Sequence, residues 1–195
     1  MRFVKVAFVS LSVSALIIVS SASAQTPQRG ATTPAPARGA TPARGSASSS
    51  GTPVATLGQL MKGILYPNSN VIFFAQDKDP AKVKPAPDPS LSTDPLASTY
   101  GGWEAVENSA LALYEAANLL TIPGRKCTNG KPVPIQNADW PKLVQGLRDA
   151  GLNAYKAAQS KNMDKIVDAA DVMTTACANC HDKYREKPTL AARCQ

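Results

Sequence analysis

Residues 163–184 read MDKIVDAADVMTTACANCHDKY. Met163, Ile166, Ala170, Met173, Cys177, Cys180 and Tyr184 recur there in alternating steps of three and four, so they share one face of an α-helix. Pro188 stops the run, because proline lacks the backbone donor a helix needs. Three earlier stretches carry the same period. Leu57, Leu60, Met61, Ile64, Leu65, Val71 and Ile72 form the first, interrupted at Pro67, where a kink or break is expected through the clash with the carbonyl of Gly63. Trp103, Val106, Ala110, Leu113, Ala117 and Leu120 form the second, ending at Pro123-Gly124. The third opens with Asp139 as N-cap and Pro141 in the first turn, then runs through Leu143, Val144, Leu147, Ala150, Ala154 and Ala158. The one run with β character, Val71-Ile72-Phe73-Phe74, reads as the first helix resuming after the proline. A Pro-, Asp- and Ser-rich connection, from about 77 to 102, is long for a compact bundle and reads as a disordered crossover, with a functional loop as the alternative. The expected fold is all-α, an antiparallel up-down-up-down four-helix bundle. In that topology Met61, early on the first helix, and His181, late on the fourth, fall at the same end.

Within 163–184, Cys177-Ala178-Asn179-Cys180-His181 sets two thiols three positions apart with an imidazole directly after them. Cys-x-x-Cys-His is the spacing of c-type haem attachment. Each thiol joins one vinyl group of the porphyrin, and the histidine reaches the iron from the same face. His181 is the only histidine of the chain, so a haem here takes its proximal ligand from it and has no second histidine. Two other readings compete with it. A thioredoxin-like redox pair follows a strand in a βαβ context, whereas a helical stripe leads into this one. A four-thiolate zinc cage would need Cys127 and Cys194 as well, at spacings that fit no familiar zinc pattern. One covalently attached haem c, near one end of the bundle, is the expectation.

A sixth ligand can be sought by elimination. Met1 belongs to the leader, Met173 lies two turns before His181 on the same helix, and Met163 sits roughly 27 Å up that helix at 1.5 Å per residue. Met61 remains, and a thioether there would raise the reduction potential and suit electron transfer. The alternative is that Met61 merely covers the haem and the sixth position is open. Cys127 and Cys194, not used by haem, follow the ends of the second and fourth helices. Leftover cysteines of an exported chain usually pair; two free thiols or an intermolecular bridge remain the alternative.

The 195-residue chain carries 21 Lys and Arg against 14 Asp and Glu, a formal +7. The excess is largely outside the bundle. Residues 1–24 read as an export signal, with Arg2 and Lys5, an apolar run to Val19 and the small-residue site Ala22-Ser23-Ala24. The run is short for a membrane span, so the processed chain is not expected to span a membrane; an uncleaved anchor is the alternative. Export of a bacterial type, to the periplasm, fits a haem that is attached outside the cytoplasm. Residues 25–53, rich in Pro, Ala, Gly, Thr and Ser, lack the apolar side chains to offset ordering entropy and read as a disordered linker carrying Arg29, Arg38 and Arg44. It spans roughly 30 Å as a coil and up to about 90 Å as polyproline. From Val54 to residue 195, one domain, charge is close to balanced. No basic face interleaved with aromatics suggests nucleic acid.

With the haem motif near the C-terminus and four helical stretches, residues 54 to 187 resemble the class II c-type cytochromes. Cys177 to His181, Asp182-Lys183-Tyr184-Arg185 and Leu60-Met61-Lys62 carry the likeness, the last being similar to the low-spin branch whose methionine ligates iron. The resemblance implies an electron carrier that meets redox partner proteins through an exposed haem edge, with Arg185 beside a haem propionate; a homodimer is left open. It departs from the family at Pro67, the Pro-rich crossover and the two extra cysteines. No Ser-His-Asp set, phosphate loop or spare histidine suggests an enzyme. A cytochrome c′-like NO- or CO-binding protein, and a redox subunit tethered by the linker to a larger complex, are the competing readings.

Overall fold

Thr56 and Gln59 start the first helix reciprocally: the Thr56 hydroxyl accepts from the Gln59 amide, and the Gln59 side chain accepts from the Thr56 amide at 2.9 Å. Two of the orphan donors of a helix N-terminus are satisfied this way. In the computed structural model, which describes residues 52–194, this turn is α1, Leu57–Leu60. The expected export segment 1–24 and the linker up to residue 51 lie outside the described residues.

The chain does not break at Pro67. After α1 it widens into a π-helical segment, Met61–Leu65, and returns to α-helix as α2, Tyr66–Asp77, with Pro67 in its first turn. The physical reason is the missing N–H. A proline cannot donate to the carbonyl four residues back, and the wider turn relieves the clash its ring would make there. The Tyr66 amide reaches back five residues to the Met61 carbonyl, and the Asn68 side-chain amide donates to the Ile64 carbonyl at 2.7 Å. The expected kink or break is thus a local change of helical pitch.

The connection from 77 to 102, expected to be disordered, is built from three single turns of 3-10 helix at Pro80–Lys82, Pro89–Leu91 and Pro95–Ala97. Each is capped by an aspartate and opens on the proline that follows it. Asp79, Asp88 and Asp94 accept from the amides two residues on, at 3.0, 3.1 and 3.0 Å, and the proline fixes φ for the turn. Pro80 and Leu96 are buried and pin the segment to the helices. Composition pointed to disorder; repeated capping chemistry and two apolar anchors outweigh it.

The other helices are α3, Gly102–Ala116, followed by a 3-10 turn Ala117–Thr121; α4, Trp140–Gln159; and α5, Met163–Tyr184. Among the described residues there is no β-strand, only an isolated bridge between Lys126 and Pro132. The fold is all-helical and compatible with a helical bundle. Its core joins Leu60, Ile72, Val106, Leu113, Val144, Ile166 and Met173. α3 and α4 approach closely at Gly151, where a Cβ would stand 2.8 Å from the Tyr114 amide nitrogen. No described helix is long and apolar enough to cross a membrane.

Candidate haem site

Four parts of the chain meet at one end of the helices, and polar contacts tie them. Arg125 is buried, which a lone arginine in a loop does not announce in sequence. Its Nε donates to the Leu119 carbonyl at 3.1 Å and its guanidinium to the Ala55 carbonyl at 2.6 Å, joining the turn after α3 to the start of α1. Charge-assisted bonds of this kind offset the cost of burying the cation. The Leu57 amide donates to the Lys126 carbonyl at 2.8 Å. Cys127 and Cys194 are disulfide-bonded, their Cα atoms 4.9 Å apart, which brings the C-terminal tail to the same place. Asn129 supports it, donating to the Ala191 and Arg193 carbonyls at 3.1 and 2.6 Å.

α4 joins this end through Trp140, fully buried, whose indole N–H donates to the Leu120 carbonyl at 3.1 Å. Its ring packs against Tyr184 in a T-shaped arrangement, 5.0 Å between centroids. Tyr184 in turn donates to Asp139 Oδ1 at 2.8 Å and accepts from the Asn137 amide at 3.1 Å, while Lys183 Nζ lies 2.8 Å from Asp139 Oδ2. Asp139 was expected to cap α4 with its side chain. It occupies the N-cap position but makes no cap bond; its carboxylate is spent on the last turn of α5 instead. The position was legible in sequence, the long-range partner was not.

Lys183 and Tyr184 hold the Asp139 carboxyl below its ordinary value of 3.8. A depressed carboxylate contributes stability that is fully present above its unfolded pKa and is lost as pH falls through the folded one. Asp139→Asn is therefore expected to be less stable than the wild type at pH 7, with the gap closing below about pH 4. Urea unfolding of both proteins across that range checks it; a gap independent of pH contradicts it.

Between these anchors lies a cleft of about 290 Å³. Leu65, Leu113, Val144 and Leu147 form its apolar wall, and Met61, Cys177, Cys180, His181 and Arg185 line it as well. Met61, Cys180 and His181 also border a smaller adjoining cavity with Trp140, Tyr184 and Cys194. Met61 is thus brought to the residues of the Cys-x-x-Cys-His motif, and it is the first residue of the π segment, a distortion often found at functional sites. The inner face of α5 is buried at Ile166, Ala170 and Met173, then half-buried at Cys177, Cys180, His181 and Tyr184, where it turns to the cleft.

Burial pushes both thiols up, Cys180 to about 11, with Cys177 and Asp139 adding to the effect. A reactive redox pair needs the reverse, a thiolate favoured at neutral pH. Burial first, and Arg185 second, lower the His181 imidazole below 6.5, which favours its neutral, metal-binding form. Arg185 reaches the cleft, but its guanidinium is paired with Glu186 Oε1 at 2.5 Å. The four-thiolate alternative is not compatible with the bridge between Cys127 and Cys194, and no group of three or more metal-binding side chains occurs among the described residues. Two neutral thiols, a neutral imidazole and a thioether along an apolar wall fit a covalently held haem. No protein-family model, curated protein or solved structure matches the chain.

Proposed function

We propose that this chain is an exported mono-haem c-type cytochrome of the class II kind, an electron carrier built on an up-down-up-down bundle. One observation carries the reading: a single apolar cleft is lined by Cys177, Cys180, His181 and Met61. Cys177 and Cys180 would hold the porphyrin as thioethers, each sulfur adding to a vinyl carbon while its proton goes to the neighbouring carbon. His181 would give its neutral imidazole to the iron, and Met61 its sulfur from the first helix. Bound there, the haem supplies one-electron chemistry. The Leu and Val wall would keep water from a haem held there, which would tune its potential and disfavour side reactions. Arg185 would meet a propionate only by exchanging its contact with Glu186.

Absorption spectra of the purified protein in both oxidation states test the electron-carrier assignment. Low-spin spectra in both states and no change on adding CO to the reduced protein are expected. A high-spin ferric form that binds CO once reduced would favour gas binding through an open sixth position.

A further inference from the structure

Charge in the described chain is divided by place. The segments tied together at the end of the helices beside the cleft, 52–66, 122–143 and 181–194, hold nine Lys and Arg against three Asp and Glu, while the apolar wall of Leu113, Val144 and Leu147 and the two thiols belong to the rest. The rest, 67–121 and 144–180, holds seven against eleven. The domain is near neutral in sum, yet its cleft end is basic and its remainder acidic. Pairing does not quench the basic end. Lys62, Lys126, Lys131 and Lys142 are exposed and make no ion pair among the described residues. They come from three places in the chain, the first helix, the 126–131 turn and the start of α4, and the fold collects them.

From this division we infer that the cleft end is a docking face for an acidic protein surface. The inference rests on the electron-carrier reading for its purpose, since it would bring a partner to the mouth of the haem cleft. Long-range attraction between opposite patches steers encounter and fixes orientation more than it adds affinity. A transient carrier needs fast arrival and fast release, and unpaired rim lysines give both. An anionic membrane is less suited: the lysines lie on one loop and two different helices, not along one amphipathic helix with an apolar face to insert.

The test separates local from net charge. Lys126, Lys131 and Lys142, all changed to Glu, reverse three charges at the cleft end; Lys84, Lys156 and Lys165, all changed to Glu, reverse three elsewhere. The two variants have the same net charge. Poly-L-glutamate titrated into the ¹⁵N-labelled proteins at low salt is the probe. It is expected to shift resonances around the cleft end, weakening with salt, and the first variant should bind about tenfold more weakly while the second changes less than about twofold. Equal losses in both would overturn the inference, as would binding confined to vesicles of anionic phosphatidylglycerol. This arm needs no haem. Oxidation of the reduced holoprotein by hexacyanoferrate(III), one electron per haem, should slow in the first variant and hold in the second. If poly-glutamate docks as expected but no haem is present, the electron-carrier reading falls and the docking face stands.

Discussion

Met61→Ala is expected to turn a low-spin ferric protein high-spin, to open the reduced protein to CO, and to lower the reduction potential. The thioether stabilises the reduced state, and axial ligation sets potentials over about 0.8 V, so a fall on the order of 0.1 V or more is the expected scale. The residue is half-buried between the cleft and the smaller cavity, so truncation removes the sulfur without unmaking the core. Helix content should hold, as read by far-ultraviolet circular dichroism. A low-spin variant with an unchanged potential would remove Met61 from the iron and leave it as a covering side chain.

Breaking the bridge between Cys127 and Cys194 is expected to be the costliest change outside the core. Its partners are 67 residues apart, and closing a loop of that length stabilises by about 4 kcal/mol on the chain-entropy account. That is a large share of the roughly 5–15 kcal/mol that holds a domain folded. The paired variant Cys127→Ala with Cys194→Ser should lower the urea midpoint sharply. It should also free the tail, which Asn129 holds only through exposed contacts to its backbone carbonyls. Because Cys194 borders the cavity shared by Met61 and His181, the variant's spectrum is expected to show some change in ligation. An unchanged midpoint would mean that the tail docks without the bridge. Thiol counting under denaturing, non-reducing conditions should find no reactive thiol at these two positions.

Much of this was legible in residue spacing. Periodicity located every long helix, because an apolar face must repeat at 3.6 residues to be buried. It could not register the π segment, since a one-residue widening leaves Met61, Ile64 and Leu65 at helical spacing. Pro67 gave the place of the distortion but not its form. The Asp-Pro turns of the long connection were hidden by a composition that suggests disorder, although each capping aspartate precedes its proline in plain view. Of the candidate site, the motif offered Cys177, Cys180 and His181 and elimination offered Met61, and the fold brings these four to one cleft. Arg125, Trp140 and the engagement of Asp139 with Tyr184 were not read, because burial and partners 20 to 70 residues away are properties of the folded chain.

The central claim is that haem is bound covalently through Cys177 and Cys180, and acid–acetone extraction of the protein purified from its native envelope tests it most directly. The account predicts that colour stays with the precipitated polypeptide and that the haem travels with the proteolytic fragment containing Cys177 and Cys180. A colourless protein, or haem that passes freely into the solvent, would contradict it.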